Sequence, residues 1–331
     1  MFYTRMILEV IAGLLVFITG LFTLRSGMGE LSNRESMQLI ERLVKTPFRG
    51  LITGIVATAM LQSGAAVTIL SMGLVAAGTL RFADTIGIIL GSNIGSTLTV
   101  GLLSLNLDAF GPYLVAAGSL AFLASFLTPH RKSKRTRPKT SAQKRMRAWG
   151  LSIIGFGTLF VGFGLMTHAT MPLASSPWVT HLLLQAGRHP LLGITAGTVV
   201  TAMIGSSSAS TALTMSLAKA GTLPLLAGIA IVFGNNIGTC ATALLASIGG
   251  TRDVLRVAAF HILLNVLGTF MFFLALKPFA QLVKSVTSDP VSQIVVAHVL
   301  FNVISSFAAL PFSRLFARVL TYAIPDRRLS L

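Results

Sequence analysis

Residues Thr58–Leu80 read TAMLQSGAAVTILSMGLVAAGTL, and residues Thr201–Leu223 read TAMIGSSSASTALTMSLAKAGTL, an offset of 143 with no gap. The same offset carries Pro47 onto Pro190, Gly50 onto Gly193, Gly54 onto Gly197, and GSNIGST from Gly91 onto GNNIGTC from Gly234. About 26 of the 58 positions from Pro47 to Ser104 are identical in the second copy. Shared apolar composition would not hold one register over that length, so the pattern marks duplication of a structural unit. Each unit reads as a leading helix, a broken apolar pair and a third segment carrying the Gly-Asn motif.

Around this repeat the chain is strongly apolar: 53% of its 331 residues are hydrophobic and 11% charged, with a mean hydropathy of +0.80. A soluble domain carries about 25% charged residues, so this chain has too little polar surface to cover itself in water. The apolar runs Met6–Leu24, Phe110–Leu127, Trp149–Met171, Val254–Leu276 and Val291–Leu320 are each close to or above the ~20 residues that a helix needs to cross a bilayer. Met6–Leu24 has no cleavage pattern after it and is read as a retained helix.

The net charge of +17 matters through its placement. Nine basic residues, Arg131, Lys132, Lys134, Arg135, Arg137, Lys139, Lys144, Arg145 and Arg147, share one loop with no acid among them. Such loops stay in the cytoplasm beside anionic lipid, which makes membrane lipids the expected partner of this run and nucleic acid an unneeded one. With 130–148 inside, counting crossings puts Arg25, Arg34, Arg42, Lys45 and Arg49 inside, along with Arg252, Arg256 and the tail carrying Arg327 and Arg328; connectors 105–109 and 172–189 fall outside with only Asp108 and Arg188. The two units are then inverted relative to one another. The expected architecture is an all-α polytopic protein of the plasma membrane, with about seven crossings and two re-entrant hairpins, Pro47–Leu80 and Pro190–Leu223. Its parts are a first inverted repeat at 1–129, the basic cytoplasmic loop at 130–148, a second inverted repeat at 149–280, and a final transmembrane helix with a basic cytoplasmic tail at 281–331.

Inverted repeats with broken helices build many secondary transporters, whose sites lie where the repeats meet. At the first hairpin the apolar pattern is interrupted by Gln62, Ser63 and Gly64, and at the second by Gly205, Ser206, Ser207, Ser208 and Ser210. Backbone outside a helix at membrane depth must be buried in protein or line a polar cavity. Serine hydroxyls and the free N–H groups of a helix start are donors that favour an anion, so these residues are the expected substrate ligands, in a site that needs no buried Lys or Arg. In the second motif Gly91, Ser92, Asn93, Ser96 and Thr97 correspond to Gly234, Asn235, Asn236, Thr239 and Cys240. Glycines beside Asn favour unwinding. Freed carbonyls together with Ser, Thr and Asn oxygens would then suit a hard cation such as Na+. Gly91, Ser92, Asn93, Ser96, Thr97, Asn235, Asn236 and Thr239 are the expected ion ligands. Polar and small-residue helix packing competes with both assignments.

His168, His261 and His298 have no metal-ligand spacing and are expected to hydrogen-bond internally; Asn265 and Asn302 each follow a histidine by four residues on one helical face. The single cysteine, Cys240, excludes an internal disulfide. No phosphate-cradling loop, HExxH motif or nucleophile–base–acid arrangement is present, so the chain is not expected to be an enzyme or to drive transport with ATP.

At Gln62-Ser63-Gly64-Ala65-Ala66, Ser206-Ser207-Ser208-Ala209 and the two Asn-Ile-Gly motifs at Asn93 and Asn236, the sequence resembles the type II sodium–phosphate cotransporter (Na/Pi symporter) family, in its bacterial branch and without a PhoU-like domain. The resemblance spans roughly residues 7–320. It implies inorganic phosphate held by the serine-rich hairpins, Na+ coordinated nearby as the coupling ion, and sodium-driven symport with no other cofactor. Gly64 and Ala65 stand where the family has serines, and Gly205 where it has glutamine, so donors are lost at the phosphate site. Another small anion as cargo, or a membrane phosphate sensor or scaffold that transports nothing, is the alternative expectation.

Overall fold

A computed structural model describes residues 2–31, 46–105, 108–127, 142–172 and 176–326. Most of the basic loop, Arg34, Arg42 and Lys45, and Arg327 and Arg328 lie outside the described residues. Every extended element among those described is a helix. The first unit comprises α1 (Phe2–Leu31), α2 (Pro47–Leu61), α3 (Gly64–Ala76), α4 (Phe82–Leu103) and α5 (Gly111–Leu127). The second comprises α6 (Ala142–Thr170), α7 (Pro177–Arg188), α8 (Pro190–Ile204), α9 (Ser207–Lys219), α10 (Leu225–Ser247) and α11 (Arg252–Leu274). Then follow α12 (Leu276–Val286), α13 (Pro290–Ala309) and α14 (Ser313–Ala323).

The 143-residue register holds at the level of helix ends. It maps α2 onto α8 and α3 onto α9 residue for residue, and starts α10 where α4 starts. The hairpin breaks follow from local chemistry. Proline at the first position opens α2 and α8, and Thr46 caps α2 by accepting from the Arg49 N–H. The left-handed residues Gln62 (φ 49°) and Gly205 (φ 72°) end them, and Ser63 and Ser206 at once cap the next helix by accepting from Ala66 N and Ala209 N. At 1.5 Å per residue, arms of 15 and 13 residues measure about 20 Å, short of the ~30 Å hydrocarbon layer.

Among the described residues six helical stretches are long and apolar enough to cross a membrane: Thr4–Glu30, Phe82–Leu103, Ala142–Thr170, Leu225–Ser247, Arg252–Leu274 and Pro290–Ala323. The seventh expected crossing, α5, has 17 residues. Two connectors hold short helices that the apolar pattern did not signal, α7 and α12, and Pro311 in a 3-10 turn divides the last expected span into α13 and α14.

Packing is pairwise and then convergent. α1 lies along α6 through Phe17, Leu21, Phe160 and Phe163, while α2 packs on α4 and α8 on α10. The Gly-Asn motifs stay helical throughout, which corrects the expectation of unwinding. The physical reason is close backbone approach: a Cβ on Gly91 would overlap the Leu51 carbonyl oxygen, and one on Gly234 that of Ile194. Arg256, expected as one of the inside charges, is buried; it bonds Asp253, Asp326 (2.9 Å) and the Ile324 carbonyl (2.7 and 3.0 Å), tying α11 to the segment after α14. Arg256→Ala is expected to release that segment, costing about 1–2 kcal/mol because part-exposed acceptors lose a charged donor, and limited proteolysis should cut the variant near Ile324 well before the wild type.

Candidate functional site

Where the two hairpin tips meet, one cavity is lined by Gln62, Ser63, Gly64 and Ala65 from the first, and Gly205, Ser206, Ser207 and Ser208 from the second. Ser92, Asn93, Ser96 and Thr99 of α4, Thr239 of α10, Arg25 of α1 and His261 of α11 complete it. Its volume is about 30 Å³, room for about one water in this conformation.

The hydrogen bonds divide the lining into two kinds of surface. Ser63 and Ser206 use a lone pair to cap their helices, which leaves each O–H as a donor. The hydroxyls of Ser207 and Ser208 have no hydrogen-bond partner among the described residues, and the first N–H groups of α3 and α9 have none within their helices. Two helix N-termini, each with a positive dipole end, thus share the cavity. Arg25 joins them: its Nε donates to the Gln62 carbonyl (3.0 Å), and among the described residues it faces no carboxylate. The expectation of a site without a buried Lys or Arg did not include this part-buried guanidinium.

Opposite in character are the hydroxyls of the Gly-Asn helices. Ser92 donates to Ile89 O (2.9 Å), Ser96 to Asn93 O (2.7 Å) and Thr239 to Asn235 O (2.8 Å), so each presents lone pairs. Asn93 spends an amide N–H on Asn265 Oδ1 (3.3 Å), leaving its own carbonyl oxygen as an acceptor. These are hard oxygen donors suited to a cation, supplied by hydroxyls and one amide rather than by unwound backbone.

Five expected ligands, Gly91, Thr97, Ser210, Asn235 and Asn236, lie off the cavity. Gly91 is wedged against Leu51, and Thr97 donates to Ile94 O. The Asn235 amide sits within 3.2 Å of the hydroxyls of Thr201, Ser210 and Thr211, so Ser210 and Asn235 clamp the second hairpin to α10. Asn236 donates back to Val232 O. Gln62 makes three bonds: one amide N–H donates to Ala59 O (2.7 Å), its Oε1 accepts from Thr99 (2.8 Å), and its carbonyl holds Arg25. It thereby positions the tip and the guanidinium and keeps one amide N–H beside the cavity.

Sequence reasoning missed Arg25, Thr99 and His261. Thr99 matches Thr242 in the repeat and was legible there; Arg25 belongs to no motif. His261 and His298 are fully buried, and neither ring has a hydrogen-bond partner among the described residues, contrary to the expected internal bonding. Asn265 and Asn302 donate to the carbonyls of those histidines one turn back.

The description Na+/Pi-cotransporter matches this sequence twice, over residues 16–168 and 169–306. The chain belongs to the Na+/Pi-cotransporter family. That is a family of membrane transporters, not of enzymes, and with the six apolar helices it makes this a multi-pass membrane protein. Among relatives of this Na+/Pi-cotransporter family chain, "Uncharacterized protein YqeW" of Bacillus subtilis (strain 168) is 29% identical over 314 residues, covering 95% of this chain and 97% of the relative. "Putative inorganic phosphate export protein YjbB" is 24% identical over 320 residues in Salmonella typhimurium and 23% in Escherichia coli (strain K12). Those matches take in 97% of this chain but 56% of the relative's length. No solved structure matches.

Proposed function

We propose that this chain moves inorganic phosphate across the plasma membrane in company with Na+, using the cavity between the hairpin tips. One observation carries the reading: in a single cavity, two helix N-termini, free serine hydroxyls and the Arg25 guanidinium offer donors, while Ser92, Ser96, Thr239 and Asn93 offer oxygen lone pairs. An anion and a small cation bound side by side neutralise each other, which lowers the cost of carrying either through low dielectric. The substrate ligands are Ser63, Ser206, Ser207, Ser208, the Gly64 backbone and Arg25, held by Gln62; the Na+ ligands are Ser92, Asn93, Ser96 and Thr239. The cavity volume is too small for phosphate as it stands, so the tips must part for phosphate to enter, as alternating access requires.

The hairpins are re-entrant and the two units inverted, with residues 1–129 and 149–280 as the repeats and 281–331 as a final span and tail. Arm lengths too short to cross and the basic charge of 130–148 support this arrangement, with that loop and the C-terminus in the cytoplasm. The YjbB relatives are named for phosphate export, so the test covers both directions. Purified protein in liposomes should show radiolabelled phosphate flux that follows an imposed Na+ gradient in either direction, ignores an equal K+ gradient, and falls at least tenfold in Ser207→Ala, the loss of about 1.4 kcal/mol that one donor to an anion supplies. Flux independent of Na+ removes the coupling. No phosphate flux from correctly inserted protein moves the reading to another small anion or to a sensor.

A further inference from the structure

A second cleft, of about 490 Å³, opens between the end of α7, the start of α10 and α12, well apart in composition from the cavity between the tips. Lys277, Gln281 and Lys284 face it at i, i+4 and i+7, one stripe of α12, while Leu276, Phe279 and Val283 on the other face of that helix are buried in the core. Arg188 faces the stripe from α7, and Leu184 and Leu225 form an apolar wall. The lining holds three cations and no carboxylate, and among the described residues none of the three is ion-paired.

The matching helix start in the internal repeat carries a carboxylate. The start of α10 at Pro224–Ala227 corresponds to the start of α4 at Arg81–Asp84. There the Asp84 carboxylate accepts from the Arg81 backbone N–H (3.2 Å) and from its guanidinium (3.0 Å to each oxygen). In the second unit the carboxylate position is Ala227, and no side chain caps α10. Both members of that pair are absent from the second unit, where Pro224 stands for Arg81 and Ala227 for Asp84, so no carboxylate at the start of α10 faces Arg188, Lys277 and Lys284.

Exposed apolar side chains surround the cleft. Trp178 (68% exposed) and Leu182 on α7, with Leu282 and Val286 (59%) on α12, present apolar surface outward beside the cationic stripe. Aromatic and apolar side chains flanking lysines are the composition of a membrane interface, where basic pockets between helices hold anionic headgroups. We infer that this cleft binds the phosphodiester headgroup of an anionic phospholipid, with Arg188, Lys277 and Lys284 taking the phosphate and Leu184 and Leu225 the start of an acyl chain. A bound lipid here would brace α12 against the foot of the second hairpin.

The test uses the full-length protein in detergent, with phosphatidylglycerol or phosphatidylcholine added and binding read by native mass spectrometry. Lysines near a lipid surface contribute about 1 kcal/mol each, so K277Q/K284Q is expected to bind phosphatidylglycerol about thirtyfold more weakly and phosphatidylcholine as the wild type does. R314Q/R318Q, which strips two cations from a different cleft beside Arg81 and Asp84, should bind phosphatidylglycerol as the wild type does. An unchanged affinity in K277Q/K284Q overturns the inference. So does an equal loss in R314Q/R318Q, which would mark bulk attraction, and so does displacement of the lipid by excess inorganic phosphate, which would mark a site for a soluble anion. Unaltered melting temperatures of both variants show that the comparison is between folded proteins.

Discussion

Phosphate flux through Arg25→Gln protein is expected to fall about ten- to a hundredfold, with the loss appearing as weaker phosphate affinity. Arg25 brings the single full charge to the lining of the cavity, and a charge-assisted hydrogen bond to an anion contributes about 1.5–3 kcal/mol. Glutamine keeps an amide donor near the Gln62 carbonyl, so the tip loses less than the substrate does. Arg25→Lys should recover part of the flux, because a lysine restores the charge but not the forked geometry that lets one guanidinium hold both Gln62 and an anion. Uptake kinetics at varied phosphate, with insertion checked by protease accessibility, separate these outcomes. Wild-type affinity in Arg25→Gln would remove the guanidinium from the substrate ligands.

Gly91→Ala and Gly234→Ala are expected to abolish the folded protein, or to lower its melting temperature far more than one methyl group ordinarily does. In each case the new Cβ would overlap a backbone carbonyl, of Leu51 or of Ile194, so no side-chain rotation relieves it and two helices must separate. Overpacking of a well-packed core costs about 1–3 kcal/mol where side chains can adjust; here the obstacle is backbone, and the cost sits at or above the top of that range. One turn further on, Gly95 and Gly238 would set a Cβ 2.7 Å from the Cβ atoms of Thr58 and Thr201, so the pairs α2–α4 and α8–α10 are zipped at matching positions of the repeat. Gly101→Ala, where nothing lies within 4 Å, is the control and should be neutral or slightly stabilising. Size-exclusion profiles and thermal melts of the three variants are the measurement.

The repeat was legible because its identity is dense at the positions that shape backbone: the prolines opening α2 and α8, the serines opening α3 and α9, and the glycines of α4 and α10. Those residues fix where helices start, stop and touch, and their register survives in the helix ends. The serine-rich tips were legible as cavity residues for the same reason. The state of the Gly-Asn motifs was not. Local propensity argues for unwinding at Gly91 and Gly234, but propensity is worth about 1 kcal/mol per glycine, and packing against Leu51 and Ile194 outweighs it. Arg25 was invisible because it reaches the first tip from α1, 37 residues before Gln62, and only the folded arrangement brings them together. The amphipathic α7 and α12 are too short and too polar on one face to stand out against long apolar runs.

Gln62 is the one non-glycine residue with positive φ among the described residues, and its counterpart is Gly205. A side chain in that conformation costs about 1–2 kcal/mol that glycine does not incur, offset at Gln62 by its bonds to Ala59, Thr99 and Arg25. Two halves of like shape are therefore fastened differently: the second tip is a plain joint, while the first is latched to the charge itself. Lifting the first tip would take the Gln62 carbonyl off the Arg25 guanidinium and free that cation, whereas Gly205 at the second tip holds no such charge.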